Sequence, residues 1–180
     1  MIDIICFNPE IYQNKKKERV LDLGFSQVFY IGNFRTSEGS SMEKNRKSLM
    51  ERNLDIMINP EKLALSQKEG INLKQIGSGL NEVLCKLAHK NEIAIGFSLS
   101  QLLNAPDNLK PFLLARLMQN VRLCRKNKTK MVVASFARHV WEMRHAKDLL
   151  AFARLLGMQG GEANKALNFK QKEKKIQMLP

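Results

Sequence analysis

The chain has 180 residues, 44% of them hydrophobic, which is enough to bury one core and too apolar for a disordered polypeptide. Its 30 Lys and Arg outnumber 17 Asp and Glu, and +10 of the net +13 falls in residues 91–180, so the second half attracts a polyanion, nucleic acid first among them. No apolar run reaches the length of a membrane span, no basic leader precedes the opening Met-Ile-Asp-Ile-Ile-Cys, and Cys6, Cys85 and Cys124 form no Cys-x-x-Cys pair; a cytoplasmic protein with no membrane partner is expected, its cysteines buried.

Taken in chain order, β-prone apolar runs at Ile2–Phe7, Gln27–Ile31, Leu54–Ile58, Leu73–Ile76, Ile93–Leu99 and Lys130–Ser135 alternate with helical patterns. The helices are predicted at Asn14–Leu23, Met42–Arg52, Gly79–Asn91, Leu109–Asn127, Ala146–Leu156 and Glu162–Leu167. In the most informative stretch, Ser78 can cap a helix whose stripe is Leu80, Val83, Leu84, Leu87 and Ala88. That helix runs into the nearly continuous apolar run Ile93-Ala94-Ile95-Gly96-Phe97, as a strand covered on both faces requires.

Such alternation specifies an α/β fold with a parallel sheet wrapped by helices, a TIM-like (β/α) barrel. A full barrel takes about 200–250 residues, so this one is expected to be short or incomplete, with a further strand hidden between Thr36 and Asn53 or after Met158. Gly24, Gly157 and the Gly160-Gly161 pair are expected at helix ends that need positive φ, and Pro111 in the first turn of its helix. The domain is placed at residues 1–169, and Lys170–Lys175 begin a basic C-terminal tail that covers 170–180.

Chemistry on such a barrel sits beyond the carboxyl ends of the strands. Those positions here are Phe7-Asn8, Asn33, Asn59, Ser98, Ser100, Ser135 and Arg138, nearly all neutral. Hydrolysis by bound metal needs several His and carboxylate ligands in that place, and the chain has only His89, His139 and His145. His89 reads as a helix-end residue, and His139 and His145 as members either of a basic RNA-facing loop or of an ordinary one. There is no Gly-rich phosphate loop, Gly-x-Ser-x-Gly or carboxylate pair, and no cofactor, metal site or catalytic residue is assigned.

Positive charge is the remaining signal. Leu113, Leu114, Leu117, Val121 and Cys124 share the packed face of one helix, while Arg122 and Lys126 share the other and Lys128 and Lys130 prolong the strip. Arg125 and Lys126 also suit the helix C-terminus electrostatically, so a solvated cationic face is the competing reading. Past the next strand come Arg138, Arg144 and Lys147, with only Glu142 and Asp148 as nearby acids. Aromatics are 7% of the chain and do not interleave with the strip, so contacts to the nucleic-acid backbone are expected, with little base readout. Trp141, the sole tryptophan, is expected as a packed loop anchor rather than a stacking surface.

The wording of Ser78–Ser100, of Asn120–Lys126, of Met131–Ser135 and of Met143-Arg144 through Asp148–Met158 resembles the ribonuclease P protein component 3 family, the archaeal counterpart of the thirty-kilodalton eukaryotic subunit. Leu54–Pro60 carries a looser match. That resemblance implies a distorted TIM-like barrel related to the polymerase-and-histidinol-phosphatase phosphoesterases. It also implies a non-catalytic subunit of ribonuclease P, in which the RNA removes the 5′ leader from precursor tRNA. Implied partners are ribonuclease P RNA, precursor tRNA and a smaller protein subunit in a heterotetramer, with Arg122, Arg125, Lys126, Lys128, Arg138, Arg144 and Lys147 contacting phosphates.

Where the family reads Ser-Gly-Ala and then Arg-Ser-Pro-Arg-Asp-Leu, this chain has Phe136 for the glycine and His145-Ala146 for the serine and proline, which puts the loop and the helix cap in question. The rivals are a metal-dependent phosphoesterase of the related superfamily and a basic scaffold whose partner is another protein.

Overall fold

The computed structural model describes residues 1–6, 23–30, 36–38, 42–50, 54–58 and 79–169. Its strands are β1 (Ile2–Ile5), β2 (Gln27–Tyr30), β3 (Thr36–Glu38), β4 (Ile56–Ile58), β5 (Ala94–Ser98) and β6 (Met131–Ala134). All pairings are parallel: β1 with β2, and β3-β4-β5-β6 in that order. The short β3 lies in the stretch where a hidden strand is expected from the sequence. The strand expected at Leu73–Ile76, and residues 14–22 of the helix expected to end at Leu23, lie outside the described residues, as does the tail.

Two backbone bonds connect the sheets. Phe136 N–H donates to Ile4 O at 2.8 Å and Cys6 N–H to Ala137 O at 2.7 Å, so the segment leaving β6 lies alongside β1. Closure would require the outer strands β2 and β3 to meet, and among the described residues they do not pair. In place of the expected barrel, the described residues form an open α/β arrangement of six short parallel strands.

Side chains alternate between two cores, as the pleat demands. Met57, Ile95, Phe97 and Val133 face the helices, whereas Ile56, Ile58, Ala94, Val132 and Ala134 face the opposite side with Ile4 and Phe136. The second core is apolar, as the interior of a barrel is.

The helices are α1 (Met42–Met50), α2 (Glu82–Lys90), α3 (Leu99–Leu103), α4 (Lys110–Lys126), α5 (Ala146–Leu155) and α6 (Gly160–Ala166). The cap of α2 is Asn81, whose side chain accepts from Leu84 N–H at 2.9 Å, three residues later than the Ser78 expected from the pattern. With this start Cys85 turns inward beside Leu84 and Ala88, and Val83 is left 64% exposed.

In α4, Leu113, Leu117, Val121 and Cys124 are buried as expected, whereas Leu114 is only half-buried, and each buried leucine contributes about 1.5–3 kcal/mol. Ser98 ends β5 and opens the unexpected α3 by accepting from Gln101 N–H at 3.1 Å. Gly24 (φ 73°) and Gly157 (φ 87°) have the expected positive φ, but Gly160 and Gly161 form the first turn of α6 instead.

Candidate nucleic-acid interface

The seven cations fall into two groups. Lys130 immediately precedes β6 and Arg138 lies beyond its end, so the helix-strand strip and the loop cluster occupy opposite ends of a strand about 13 Å long. The sequence already puts a strand between the two groups, and the structure holds them at its opposite ends.

The first group is fixed where α4 ends against α2. Thr129 Oγ1 donates to Cys85 O at 3.0 Å and His89 Nδ1 bonds Lys128 O at 2.9 Å, holding the 127–130 turn along α2. Arg125 grips Glu162 with both Nε (3.2 Å) and Nη2 (2.6 Å), and Nη2 also donates to Gly157 O at 2.6 Å. This fork binds α4 to α6 and to the turn before it. It raises the Arg125 pKa and lowers that of Glu162.

Lys126 pairs with Glu82 at 3.1 Å, and Lys86 pairs with the same carboxylate at 3.1 Å. Hydrogen bonds from Lys126 first, then Lys86, hold Glu82 below the usual carboxylate range. Lys130 lies 3.9 Å from Glu92. Arg122 and Lys128 are exposed and make no ion pair among the described residues, Lys128 on a backbone of φ 54°. Of the strip, these two differ from Arg125, which is engaged by Glu162 and Gly157 O.

The second group surrounds residues 135–147. Glu142 accepts from Arg138 N–H at 2.8 Å and from Asn104 Nδ2 at 3.0 Å. Partial burial pushes its carboxyl up, but the Arg138 amide, Asn104 and Ser100 together hold it below the ordinary value. Asp148 accepts from His145 N–H at 3.1 Å, and His145 Nδ1 accepts from Lys147 N–H at 3.1 Å. A histidine and an aspartate thus form a reciprocal cap on α5, restoring the helix start that the sequence leaves in question.

Both acids of the loop are engaged by backbone amides, and of the surrounding cations Arg138 and Lys147 are exposed and Arg144 is half-buried. Arg144 Nη1 donates to Trp141 O at 2.8 Å and to Met143 O at 3.1 Å, which fixes its guanidinium beside the aromatic residue. Trp141 is not the packed anchor expected: it is 69% exposed, stacked on His139 with centroids 5.3 Å apart and planes 18° from parallel. A lone tryptophan in a loop gives no sequence sign of which way it points.

Sequence reasoning missed Asp3, which sits in the apolar run Ile2–Ile5 and is wholly buried. Ser135 donates to it twice, from its N–H to Oδ1 and from Oγ to Oδ2, both at 2.7 Å, and Ile4 N–H donates to Oδ1 at 2.8 Å. Burial prevails over these bonds and raises the carboxyl from 3.8 to about 6. An acid inside a strand-like run was the available signal. Among the described residues no three His, Cys, Asp or Glu side chains converge as metal ligands would. Nor is any helix among them long and apolar enough to cross a membrane.

Residues 40–173 match the family model described as RNase P subunit p30. Ribonuclease P protein component 3 of Methanosarcina mazei is 33% identical over 144 residues, which are 77% of this chain and 55% of that protein. The protein of the same description from Thermococcus kodakarensis is 31% identical over 132 residues, covering 73% and 54%. The chain spans about half the length of the curated relatives it matches. A chain in the cryo-EM structure of archaeal Ribonuclease P with mature tRNA shares the fold, with a TM-score of 0.65 over 92% of this chain and 86% of that one, at 18% identity.

Proposed function

The chain belongs to the RNase P subunit p30 family, and from that premise we propose that it is a non-catalytic, RNA-binding subunit of ribonuclease P that supports removal of the 5′ leader from precursor tRNA. The observation that carries this reading is the family match over residues 40–173, because that stretch encloses both cationic groups.

The proposed mechanism is electrostatic. Arg122 and Lys128 at one end of β6, and Arg138, Arg144 and Lys147 at the other, neutralise phosphates on two separate stretches of RNA and so fix the orientation of the fold on it. Arg125 and Lys126 are phosphate contacts too, but they must share their charge with Glu162 and Glu82. The RNA performs the hydrolysis, and a smaller protein subunit joins this one in a heterotetramer within the cytoplasm. The open sheet is read as an incomplete TIM-like barrel, with 1–169 as its domain and 170–180 as a basic tail. No catalytic residue or cofactor is assigned to the chain itself.

Reconstituted 5′ processing of precursor tRNA, with and without this chain, tests the proposal. Processing that rises when the chain is added supports it, and identical rates in both arms defeat it. Cleavage by the chain alone, without the RNA subunit, defeats the non-catalytic part.

A further inference from the structure

We propose that the Trp141–His139 pair is a stacking subsite for an unpaired base of single-stranded RNA, with the neighbouring cations holding the adjoining phosphates. The inference rests on the RNA-binding reading above and adds to it a class of target, since neither phosphate contacts nor family membership calls for an exposed ring.

Three observations carry it. Trp141 is 69% exposed although burying an indole is favourable, and it is already ordered against a second ring: centroids 5.3 Å apart and planes 18° from parallel are the offset geometry of stacked rings. One face of the indole is thus supported by His139, and the pair presents a flat surface on which a base can stack without sequence preference.

The charge around the rings also suits a nucleotide. Arg144 is held by the carbonyls of Trp141 and Met143 through Nη1, and its other guanidinium N–H groups have no partner among the described residues. Lys147 and Arg138 flank the same loop and are exposed. The acids that could repel a phosphate, Glu142 and Asp148, each accept from a backbone amide, that of Arg138 and that of His145.

The loop is, further, built to keep this form. Glu142 links it to Asn104 at the end of α3, and the His145–Asp148 cap fastens its far end to α5. A protein partner could use the same exposed tryptophan, but three cations beside two acids already engaged by backbone amides complement a polyanion better.

Because Trp141 is the sole tryptophan, the emission of the full chain reports directly on this site. Oligoadenylate of about ten nucleotides is expected to quench it, and a duplex of equal length to bind with little quenching. Trp141→Ala is expected to weaken oligoadenylate binding, followed by anisotropy of a labelled strand, by roughly tenfold, and Trp141→Phe to restore most of that loss.

Binding to oligoadenylate with unchanged emission, and equal affinity of Trp141→Ala and the parent chain, would overturn the stacking site and leave the phosphate contacts standing. Binding to no RNA at all would instead defeat the parent reading. Unchanged RNA affinity with loss of assembly onto the smaller subunit would reassign the surface to a protein.

Discussion

Gly96 and Phe136 are complementary positions: a Cβ at Gly96 would lie 3.2 Å from Phe136 Cζ and 3.2 Å from Ile56 Cγ2, so the ring occupies the space that the glycine leaves. Phe136 has positive φ (46°), unfavourable for a bulky residue, and is 3% exposed in the core with Ile4 and Ile56. Burial of the ring offsets the backbone strain, and this explains how a phenylalanine can stand where the resembling family has glycine. Gly96→Ala is expected to cost about 1–3 kcal/mol in urea unfolding. In a Phe136→Leu background that penalty should shrink by at least half. A full penalty in both backgrounds would show that the two positions are not coupled.

Asp3 makes stability depend on pH in an unusual direction. Its carboxyl titrates near 6 in the folded chain and near 3.8 when unfolded, so between those values the folded state holds the extra proton. Stability therefore falls as pH rises from about 4 to 6, by on the order of 3 kcal/mol from this group. Asp3→Asn keeps acceptors for the Ile4 and Ser135 amides and gains a donor to Ser135 Oγ. It should be more stable than the parent chain at pH 7 and should lose this slope. A denaturation midpoint measured from pH 4 to 8 checks both, and an unaltered slope in Asp3→Asn would remove the residue as its source.

On the strip beside α2, uncompensated charge should govern RNA affinity. Arg122→Ala with Lys128→Asn, the asparagine being tolerant of positive φ, is expected to flatten the salt dependence of RNA binding by roughly 0.7–0.9 per contact, or about 1.4–1.8 for the pair. Lys126→Ala should change it less, because Lys126 is already paired with Glu82. Equal slopes for the double variant and the parent would exclude Arg122 and Lys128 from the RNA face.

Arg125 should act on stability more than on binding. Arg125→Ala removes a bidentate pair and a bond to Gly157 O, and a loss of about 1–2 kcal/mol is expected, with a smaller change in salt slope than the Arg122 and Lys128 variant shows. Thermal unfolding beside salt titration separates the two. An unchanged melting temperature with a large drop in slope would reverse the assignment.

Local patterns carried most of the fold. The apolar faces of α2 and α4 and the runs around β5 and β6 were visible because each depends on residues three, four or two positions apart. Long-range partnership was not visible. Nothing near Arg125 in the sequence announces Glu162, 37 residues on, and nothing near Lys126 announces Glu82, so free and paired cations looked alike. Asp3 and Ser135 are separated by 132 residues and gave no joint pattern. The exposure of Trp141 depends on how one loop turns, which hydrophobic periodicity does not encode.

The amide of Ile2 donates to Leu167 O at 2.9 Å, at nearly the far end of the described chain. One edge of β1 can pair early with β2, but the other is satisfied only by residues 136, 137 and 167, so part of the loop-closure entropy is paid late. That second edge of β1 stays open to aggregation or chaperones until those residues arrive.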